Sequence, residues 1–216
     1  MNLIQDLWIP ITRQDGVREK IAPWQIAEIN NPVTDIDAPR ADFRGALYQF
    51  LIGLLQTKYA PEDFETWLEI WEDGPDQDEL KSAFAELSPG FELLNEKGPA
   101  FLQDLELADG ELKSVAALLI ESPGAKTEKD NLDHFIKAGQ VEQLCPSCTA
   151  SAIFTVQTNS PAGGAGYRVS LRGGGPLMTL VMPRSADATL WQKLWMNVLD
   201  EQFADDLKAP KGEINA

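Results

Sequence analysis

The chain has 216 residues, of which 18 are Lys or Arg and 34 are Asp or Glu, so its formal net charge is −16. A uniformly acidic surface repels phosphate groups, which excludes a general coat for nucleic acids and leaves only local contacts with them. Hydrophobic residues make up 44% of the sequence, enough for a packed core in one large domain or two small ones.

The N-terminal third predicts a hairpin followed by a helix. The apolar-rich runs 7–13 and 17–21 flank Gln14-Asp15-Gly16, a turn sequence typical of a β-hairpin. The Asn-Pro and Ala-Pro pairs within 30–39 predict a connector, after which Asp42 is the predicted cap of a helix. Four leucines at helical spacing support that helix: Leu47, Leu51, Leu54 and Leu55.

Two further amphipathic helices are predicted before residue 90. The first opens at Pro61-Glu62-Asp63 and the second at Asp76, with acidic residues in the first turn, where the helix dipole favours them. We expect the apolar side chains at helical spacing to pack in the core, and the acidic side chains opposite them to be solvated surface. The apolar positions are Phe64, Trp67, Leu68 and Trp71 in the first helix, and Leu80, Ala83, Phe84 and Leu87 in the second.

The middle of the chain has weaker patterns. The apolar stretch 112–120 predicts a helix, and the polar stretch 121–138 has no sustained period, which predicts a long loop. Long loops within compact domains are usually functional or mobile. Residues 149–158 fit a short helix, although Ile153-Phe154-Thr155-Val156 would suit a strand equally well.

The C-terminal part predicts a second hairpin and a last helix. The β-type runs 167–172 and 177–182 are joined by Gly173-Gly174-Gly175-Pro176, and Asp187 is the predicted cap of the helix that follows. That helix has an apolar side formed by Leu190, Trp191, Leu194, Trp195 and Val198. We therefore predict an α+β fold, with one compact domain over residues 1–204 and a flexible polar tail over 205–216.

Neither a secretory signal nor a membrane span is recognisable. The first ten residues lack a basic region and a continuous apolar core, and no stretch is apolar for the roughly 18 residues that a membrane span requires. A disulfide between two cysteines only three positions apart would close too small a loop to stabilise a fold. The cysteine content therefore fits a reducing compartment. We expect a cytoplasmic protein without membrane contacts.

A basic window stands out against the acidic remainder. Residues 137–186 contain four basic residues and one acidic residue, a charge of +3, so the rest of the chain carries −19. The basic residues are Lys137, Arg168, Arg172 and Arg184. They are either ordinary surface residues around a hairpin or a local contact for phosphates.

The same window contains a glycine-rich loop over residues 160–166, followed by Tyr167-Arg168. A Walker loop is excluded, because it requires Lys-Ser/Thr at the start of a helix, whereas Tyr-Arg-Val-Ser leads here into a predicted strand. Glycines also allow a backbone to approach a ligand closely, for example in the DNA minor groove. The alternative is that these glycines form only flexible connections.

Cys145-Pro146-Ser147-Cys148 is a CxxC motif with three possible roles. It supplies half of a tetrahedral zinc site, a thiol redox pair of the thioredoxin type, or two unmetallated packing cysteines. For the zinc site, the single histidine of the sequence, His134, is the remaining candidate for a third ligand. No nucleophile signature accompanies His134, so acid–base or triad chemistry has no visible residues to carry it, and we expect His134 to be a surface residue of a loop.

Five short motifs occur in order along nearly the whole chain. They are Met1-Asn2-Leu3 to Asp6-Leu7-Trp8-Ile9-Pro10, Pro39-Arg40-Ala41-Asp42-Phe43, Gly98-Pro99-Ala100-Phe101-Leu102-Gln103, Leu144-Cys145-Pro146-Ser147-Cys148-Thr149-Ala150, and Leu171-Arg172-Gly173-Gly174-Gly175-Pro176. In this order they resemble the large subunit of the type I-E CRISPR Cascade complex, the CasA family. The resemblance implies the N-terminal portion of such a subunit, without the family's C-terminal four-helix bundle.

The resemblance also implies a function and partners. It implies a non-catalytic subunit of an RNA-guided surveillance complex in antiviral defence that reads the protospacer-adjacent motif of target double-stranded DNA. The implied partners are target DNA, the guide RNA, the other Cascade subunits and the helicase-nuclease that the family recruits. In such a complex, the protein first recognises the short protospacer-adjacent motif on the DNA duplex. The guide RNA then recognises the target sequence by base pairing.

Individual residues acquire roles from this resemblance. The family's DNA-reading glycine loop matches Gly163, Gly164, Ala165 and Gly166, next to Arg168 and Arg172 as phosphate contacts. Phe135 and Lys137 match the tip of the loop that docks on the guide RNA 5′ handle and its capping subunit. Lys137 stands where the family usually has Asn, which suits a phosphate contact. Cys145 and Cys148 match half of a zinc site whose other ligands lie outside this chain.

Two alternative functions belong to other classes. A thiol-disulfide oxidoreductase would use Cys145 as a nucleophile of low pKa. An acidic scaffold domain would use its loops to bind only protein.

Overall fold

The computed structural model of the protein describes residues 1–104, 112–132, 136–137, 139–160, 171 and 178–206. Near the N-terminus, strands β1 (Ile9–Arg13) and β2 (Arg18–Ile21) pair in antiparallel fashion. This pairing confirms the predicted hairpin. Gly16, in the turn between the strands, has a φ of 85°, a left-handed conformation that favours glycine.

A third strand, β3 (Val33–Ile36), pairs with the other side of β1, so the strand order is β2-β1-β3. The sequence predicted only a connector over 30–39, which is wrong for these residues. Once the hairpin has formed, β1 still has one unpaired side, and pairing there buries Val33 and Ile36. Burial against the core therefore decides the conformation between the two flanking turn signals.

Helix α1 (Ala41–Lys58) supplies a large part of the core. Its four leucines are at most 4% exposed, which confirms the predicted apolar face. The prediction that Asp42 caps the helix is wrong, because the cap position is Arg40 and Asp42 lies within the first turn. The Asp42 carboxylate instead accepts two hydrogen bonds of 2.9 Å from the Arg40 guanidinium.

Helix α2 (Phe64–Asp73) lies at the periphery of the core, and none of its residues is fully buried. Trp67 and Trp71 pack against the core, but Phe64 is 64% exposed and Leu68 is 39% exposed. The prediction that the whole aromatic stripe packs inside is therefore wrong for Phe64 and Leu68. The tryptophans of this one stripe are enough to attach a peripheral helix.

Aspartate caps begin both α2 and α3 (Gln77–Ala85). Asp63 accepts the N–H of the residue three positions on at 2.9 Å, and Asp76 accepts the corresponding N–H at 3.0 Å. Leu80 and Phe84 on α3 are fully buried, which confirms their predicted core positions.

The stretch predicted as a helix over 112–120 contains only a 3₁₀ turn, Val115–Leu118. Its apolar residues do not form a continuous buried face, since Leu112 is fully exposed while Ala116 and Leu119 are buried. A short helix, α4 (Ala125–Lys129), lies within the predicted loop 121–138. Among the described residues of 121–138, the prediction of a loop is thus correct only outside that turn of helix.

Helix α5 (Pro146–Asn159) includes the whole of 149–158, so the helical alternative is correct there and the strand alternative is wrong. Hydroxyl side chains on its buried side donate to the carbonyl one turn earlier: Ser151 to Ser147 at 3.0 Å and Thr155 to Ser151 at 2.6 Å. These bonds satisfy polar groups that would otherwise be buried without partners. A β-branched sequence is therefore compatible with a buried helix.

Helices α6 (Leu190–Trp195) and α7 (Glu201–Asp206) complete the described fold. The prediction that Asp187 caps α6 is wrong. Thr189 occupies the cap position and forms a reciprocal capping box with Gln192. Residues 178–182 contain no strand, and the rest of the predicted second hairpin lies outside the described residues.

One main hydrophobic core joins the sheet to the helices. Its largest fully buried side chains include Trp8, Phe84 and Trp195, and the predicted apolar side of α6 is confirmed by the burial of Leu190 and Leu194. Mixed helices around a small antiparallel sheet confirm the predicted α+β class. Over the described part of the chain, no helix is long and apolar enough to span a membrane.

Candidate functional site

The two cysteines meet at the N-terminus of α5. Cys145 is the cap residue, and its Sγ accepts the backbone N–H of Cys148 at 3.3 Å. Pro146 occupies the first helical position, where its missing N–H costs no hydrogen bond. Cys145 is exposed and Cys148 is partly buried, and both are free thiols. The first thiol is therefore accessible to solvent.

A lysine from the sheet lies close to the cysteine pair. Lys20, on β2, donates a hydrogen bond of 2.8 Å from Nζ to the hydroxyl of Ser147, between the two cysteines. The contact joins residues 127 positions apart. No signal in the sequence pointed to Lys20, because neither residue belongs to a motif that requires the other.

Burial, hydrogen bonding and charge separate the two thiols. Partial burial acts to raise the pKa of Cys145, but the N–H groups of Cys148 and Ser147 and the ammonium of Lys20 outweigh it and hold that pKa below its ordinary value. Burial and the neighbouring Cys145 raise the pKa of Cys148 to about 11, although Lys20 acts in the opposite direction. Cys145 is thus the more readily ionised and the more reactive thiol.

The donor set fits half of a zinc site. Two cysteines three positions apart supply two of the four ligands of a tetrahedral zinc ion. Within the described ranges, no group of three or more His, Cys, Asp or Glu side chains could hold a metal. His134, the other candidate ligand, lies outside the described residues.

A small second core lies beside the cysteine pair. It consists of Phe43, Leu119, Ile136 and Ala152, with Cys148 packed against it. Ile136 is 5% exposed, and the following residue, Lys137, is exposed to solvent. Burial of Ile136 therefore fixes the chain next to Lys137, whereas Phe135 lies outside the described residues.

The predicted DNA-binding residues all lie outside the described part of the chain. Gly163, Gly164, Ala165, Gly166 and Arg168 fall within 161–170, and Arg172 falls within 172–177. Their described neighbours are nevertheless placed. Helix α5 ends at Asn159, and the N–H of Leu171 donates to the carbonyl of Gln157 at 2.8 Å.

Helix α5 connects the cysteine pair to the described residues on either side of 161–170. The cysteine pair lies at the N-terminus of this helix, and both flanks of the glycine-rich segment return to its C-terminal end. Fourteen residues of helix separate these ends, which corresponds to about 20 Å. The cysteine pair and the described residues that flank 161–170 therefore lie at opposite ends of one helix.

Solved structures resemble this fold over most of the chain. Thermobifida fusca Cse1 matches with a TM-score of 0.69 at 18% identity, covering 94% of this chain and 40% of that chain. Thermus thermophilus CasA (Cse1) matches with a TM-score of 0.64 at 21% identity, covering 90% of this chain and 40% of that chain. A chain of a CRISPR RNA-guided surveillance complex, captured before nicking, matches with a TM-score of 0.65 at 18% identity, covering 92% and 42%.

Two conclusions follow from these comparisons. The present chain spans about two fifths of the length of the solved chains that it matches. The model of the family described as CRISPR-associated protein Cse1 matches residues 2–212, almost the entire sequence. Cse1 and CasA are two names for one protein, so the family match agrees with the resemblance seen in the sequence. This chain therefore belongs to the Cse1 family.

Proposed function

We propose that this chain acts as part of the large, non-catalytic subunit of an RNA-guided CRISPR surveillance complex. The family match over residues 2–212 is the observation that carries the proposal. The similarity to a chain of a surveillance complex supports the same role. The partners under this proposal are target double-stranded DNA, the guide RNA, the other Cascade subunits and a recruited helicase-nuclease.

The segment proposed to read the protospacer-adjacent motif is Gly163, Gly164, Ala165 and Gly166. Backbone without bulky side chains can enter the narrow minor groove, where hydrogen-bonding groups are sparse and close approach is needed. The anchoring of Leu171 on Gln157 supports this role, because it ties one flank of the segment to a helix. Recognition of the protospacer-adjacent motif in this way would precede base pairing between the target and the guide RNA.

The charges proposed to bind phosphates lie in the basic window. Arg168 and Arg172 would contact target DNA, while Phe135 and Lys137 would dock on the guide RNA and its capping subunit. The strongly acidic remainder of the chain would repel nucleic acid elsewhere, which restricts contacts to this window. Burial of Ile136 supports the docking role by fixing the backbone beside Lys137.

The DNA-reading role can be tested in the complex assembled from this protein, the remaining subunits and guide RNA. Gly164→Ala combined with Gly166→Ala should weaken binding of motif-bearing duplex by at least about tenfold, or roughly 1.4 kcal/mol, without preventing assembly. Gly90→Ala is the matched control, since a Cβ added there meets no atom within 4 Å. Unchanged target binding by the double variant would favour the acidic scaffold that binds only protein.

We further propose that Cys145 and Cys148 supply two ligands of a structural zinc ion, with the other ligands outside this chain. The lowered pKa of Cys145 supports this role, because zinc binds the thiolate. Bound zinc would hold the segments that supply its ligands together. Metal analysis of the purified large subunit, which would contain all four ligands, should find zinc that is lost in Cys145→Ser. Insulin-reducing activity without zinc would favour the thiol-disulfide oxidoreductase.

A further inference from the structure

An ion-pair cluster at the start of α1 joins two distant parts of the chain. The guanidinium of Arg40 donates two hydrogen bonds of 2.9 Å to the carboxylate of Asp42 and one of 2.5 Å to the carboxylate of Glu121. Glu121 lies 81 positions beyond Arg40. Arg40 and Asp42 belong to the sequence motif 39–43, to which the proposed function gives no role. Through Arg40, this motif is tied to the segment around Glu121.

The geometry of the cluster is suited to arginine. Nε and one Nη of Arg40 bind both oxygens of Asp42, and the same Nη also binds Glu121. The guanidinium carbon lies 5.4 Å from the centroid of the Phe43 ring, a distance at which a cation is attracted to the face of the ring. A lysine lacks the planar fork that makes such bidentate and stacked contacts. One side chain therefore contacts two carboxylates and an aromatic ring.

The contacts of Arg40 lead into the second core. Phe43, under the guanidinium, is 2% exposed and belongs to this core. Leu119, two residues before Glu121, belongs to the same core and is 4% exposed. The N–H of Ser122 donates to the carbonyl of Leu119 at 2.9 Å, which closes a turn around Glu121. Arg40 thus links two of the segments that form the second core.

A third segment of the second core carries the proposed docking residue. Ile136 is buried in this core, and Lys137 follows it. The N–H of Lys137 donates to the side-chain oxygen of Gln140 at 2.9 Å, and the N–H of Gln140 donates to the carbonyl of Lys137 at 3.1 Å. Val141 packs against the same core. Lys137 therefore lies in a closed turn with an anchor in the second core on each side.

The second core is small, so its order depends on contacts at its edge. In the part of the chain that the structure describes, four buried side chains form it. Ordering each residue of a loop costs conformational entropy, which so few buried side chains offset only in part. The side chains of Arg40 and Asp42 are 27% and 14% exposed, so water screens their interaction less than that of a fully exposed pair. Loss of Arg40 should therefore loosen the segments that it holds.

We propose that Arg40 is a positioning residue for the docking of this chain on guide RNA, because it stabilises the second core that holds Lys137. This role rests on the proposed contact between Lys137 and the guide RNA. Arg40 itself makes no RNA contact under the proposal, since Asp42 and Glu121 already bind its guanidinium. It acts through the second core on the turn that contains Lys137.

The first experiment measures the order of this turn in the 216-residue chain without RNA. Amide hydrogen exchange reports local opening, and the N–H groups of Ser122, Lys137 and Gln140 are all hydrogen-bonded. Arg40→Gln should accelerate exchange at these amides by about fivefold, because it removes the contacts at the edge of the second core. Mass spectrometry of peptides that contain these amides measures the rates.

Arg44→Gln is the matched control. Arg44 lies one turn further along α1, pairs with Asp35 at 2.5 Å and lies over the ring of Tyr48, a residue of the main core. The substitution removes the same charge and a comparable ion pair, so it should lower the stability of the fold by a similar amount. It should leave exchange at Lys137 and Gln140 unchanged. Chemical denaturation of both variants checks that the comparison is matched.

The second experiment measures binding of the chain to the complex of the other subunits with guide RNA. Lys137→Ala should weaken this binding by about fivefold and reduce its salt slope by about 0.7, the value for one phosphate contact with a single strand. Arg40→Gln should cause similar losses. The combined variant should lose no more than Lys137→Ala alone, because both substitutions act on one contact. A merely structural role of Arg40 would give additive losses and an unchanged salt slope, and Arg44→Gln should change neither quantity.

Two outcomes would overturn the positioning role by itself. One is unchanged exchange at Lys137 and Gln140 in Arg40→Gln, whatever the binding result. The other is an additive loss of binding in the combined variant, which would show that Arg40 and Lys137 act separately. Unchanged binding and salt slope in Lys137→Ala would instead contradict the proposed docking contact, and the positioning role with it, even where exchange changes as expected.

Discussion

The ammonium group of Lys20, on the edge strand β2, donates a 2.8 Å hydrogen bond to the hydroxyl of Ser147, which lies between the two cysteines at the start of α5. This contact brings a positive charge to the thiols that neither the strand nor the helix carries by itself. The reactivity of the cysteine pair therefore depends on how the sheet packs against α5.

Removing the charge of Lys20 should make Cys145 less acidic. In Lys20→Met, the pKa of Cys145 is expected to rise, because the ammonium that favours the thiolate is lost. The pH dependence of Cys145 alkylation by iodoacetamide, followed by mass spectrometry in metal-free protein, measures this shift. Arg18→Met on the same strand is the control, since Arg18 pairs with Asp37 at 3.3 Å. An unchanged titration midpoint in Lys20→Met would contradict the prediction.

The cap of α6 provides a test of local stability. Thr189→Ala should lower the free energy of unfolding by about 1 kcal/mol, because it removes the hydroxyl that accepts the Gln192 N–H at 3.2 Å. Asp187→Ala should change that free energy little, since Asp187 is exposed and is not the cap. Urea denaturation measures both values. Similar losses in the two variants would show that the helix is capped differently.

Gly53 in α1 offers a stabilising substitution. Gly53→Ala should raise the free energy of unfolding by up to about 1 kcal/mol, because alanine restricts the unfolded chain and a Cβ there meets no atom within 4 Å. Gly74→Ala should instead be destabilising, since Gly74 has a φ of 83°. Thermal unfolding of the two variants should therefore shift in opposite directions, and a loss of stability in Gly53→Ala would refute the packing described here.

The ionisation of Asp35 should make the stability of the protein depend on pH. It accepts hydrogen bonds from Arg44 and, at 2.8 Å, from the hydroxyl of Tyr48, while Lys193 lies 3.5 Å away. Burial acts to raise the pKa of Asp35, but these partners outweigh it and hold that pKa below its ordinary value. Because the folded-state pKa is lowered, the stabilisation is present at neutral pH and is lost as pH falls through about 4 and below.

Asp35→Asn should therefore cost about 1 kcal/mol of unfolding free energy at neutral pH and little in strong acid. Chemical denaturation between about pH 7 and about pH 3 measures the difference between variant and wild type. Asp187→Asn, at an exposed position, is the control. A difference that stays constant over this range would mean that Asp35 stabilises the fold without its charge.

The basic window should determine the salt dependence of target binding. If Lys137, Arg168 and Arg172 each neutralise one phosphate, replacing all three by alanine should reduce the salt slope of the assembled complex by about 2.7. Three exposed basic residues outside the window provide the matched control: Arg18, Lys97 and Lys126. An unchanged slope in the first triple variant, or an equal reduction in the control, would argue against the window as the site of phosphate contacts.

Elements defined by neighbouring residues were predictable from the sequence. The hairpin follows from its turn residues, and the buried face of α1 follows from leucines at helical spacing, because both patterns depend on local periodicity. The CxxC motif likewise identified Cys145 and Cys148 as a pair, because the two cysteines are only three positions apart. Family membership also followed from short motifs in order, and the family match confirms it.

Tertiary packing decided the remaining features. Strand β3 forms because β1 needs a second partner, and α5 can be buried as a helix because its hydroxyls find acceptors one turn earlier. The contact of Lys20 with Ser147 depends on residues distant in sequence, and so does the burial of the Trp191 N–H, which has no partner among the residues that the structure describes. Local patterns specify which face of an element is apolar, but only the packed chain determines which polar groups meet across elements and which are left without partners.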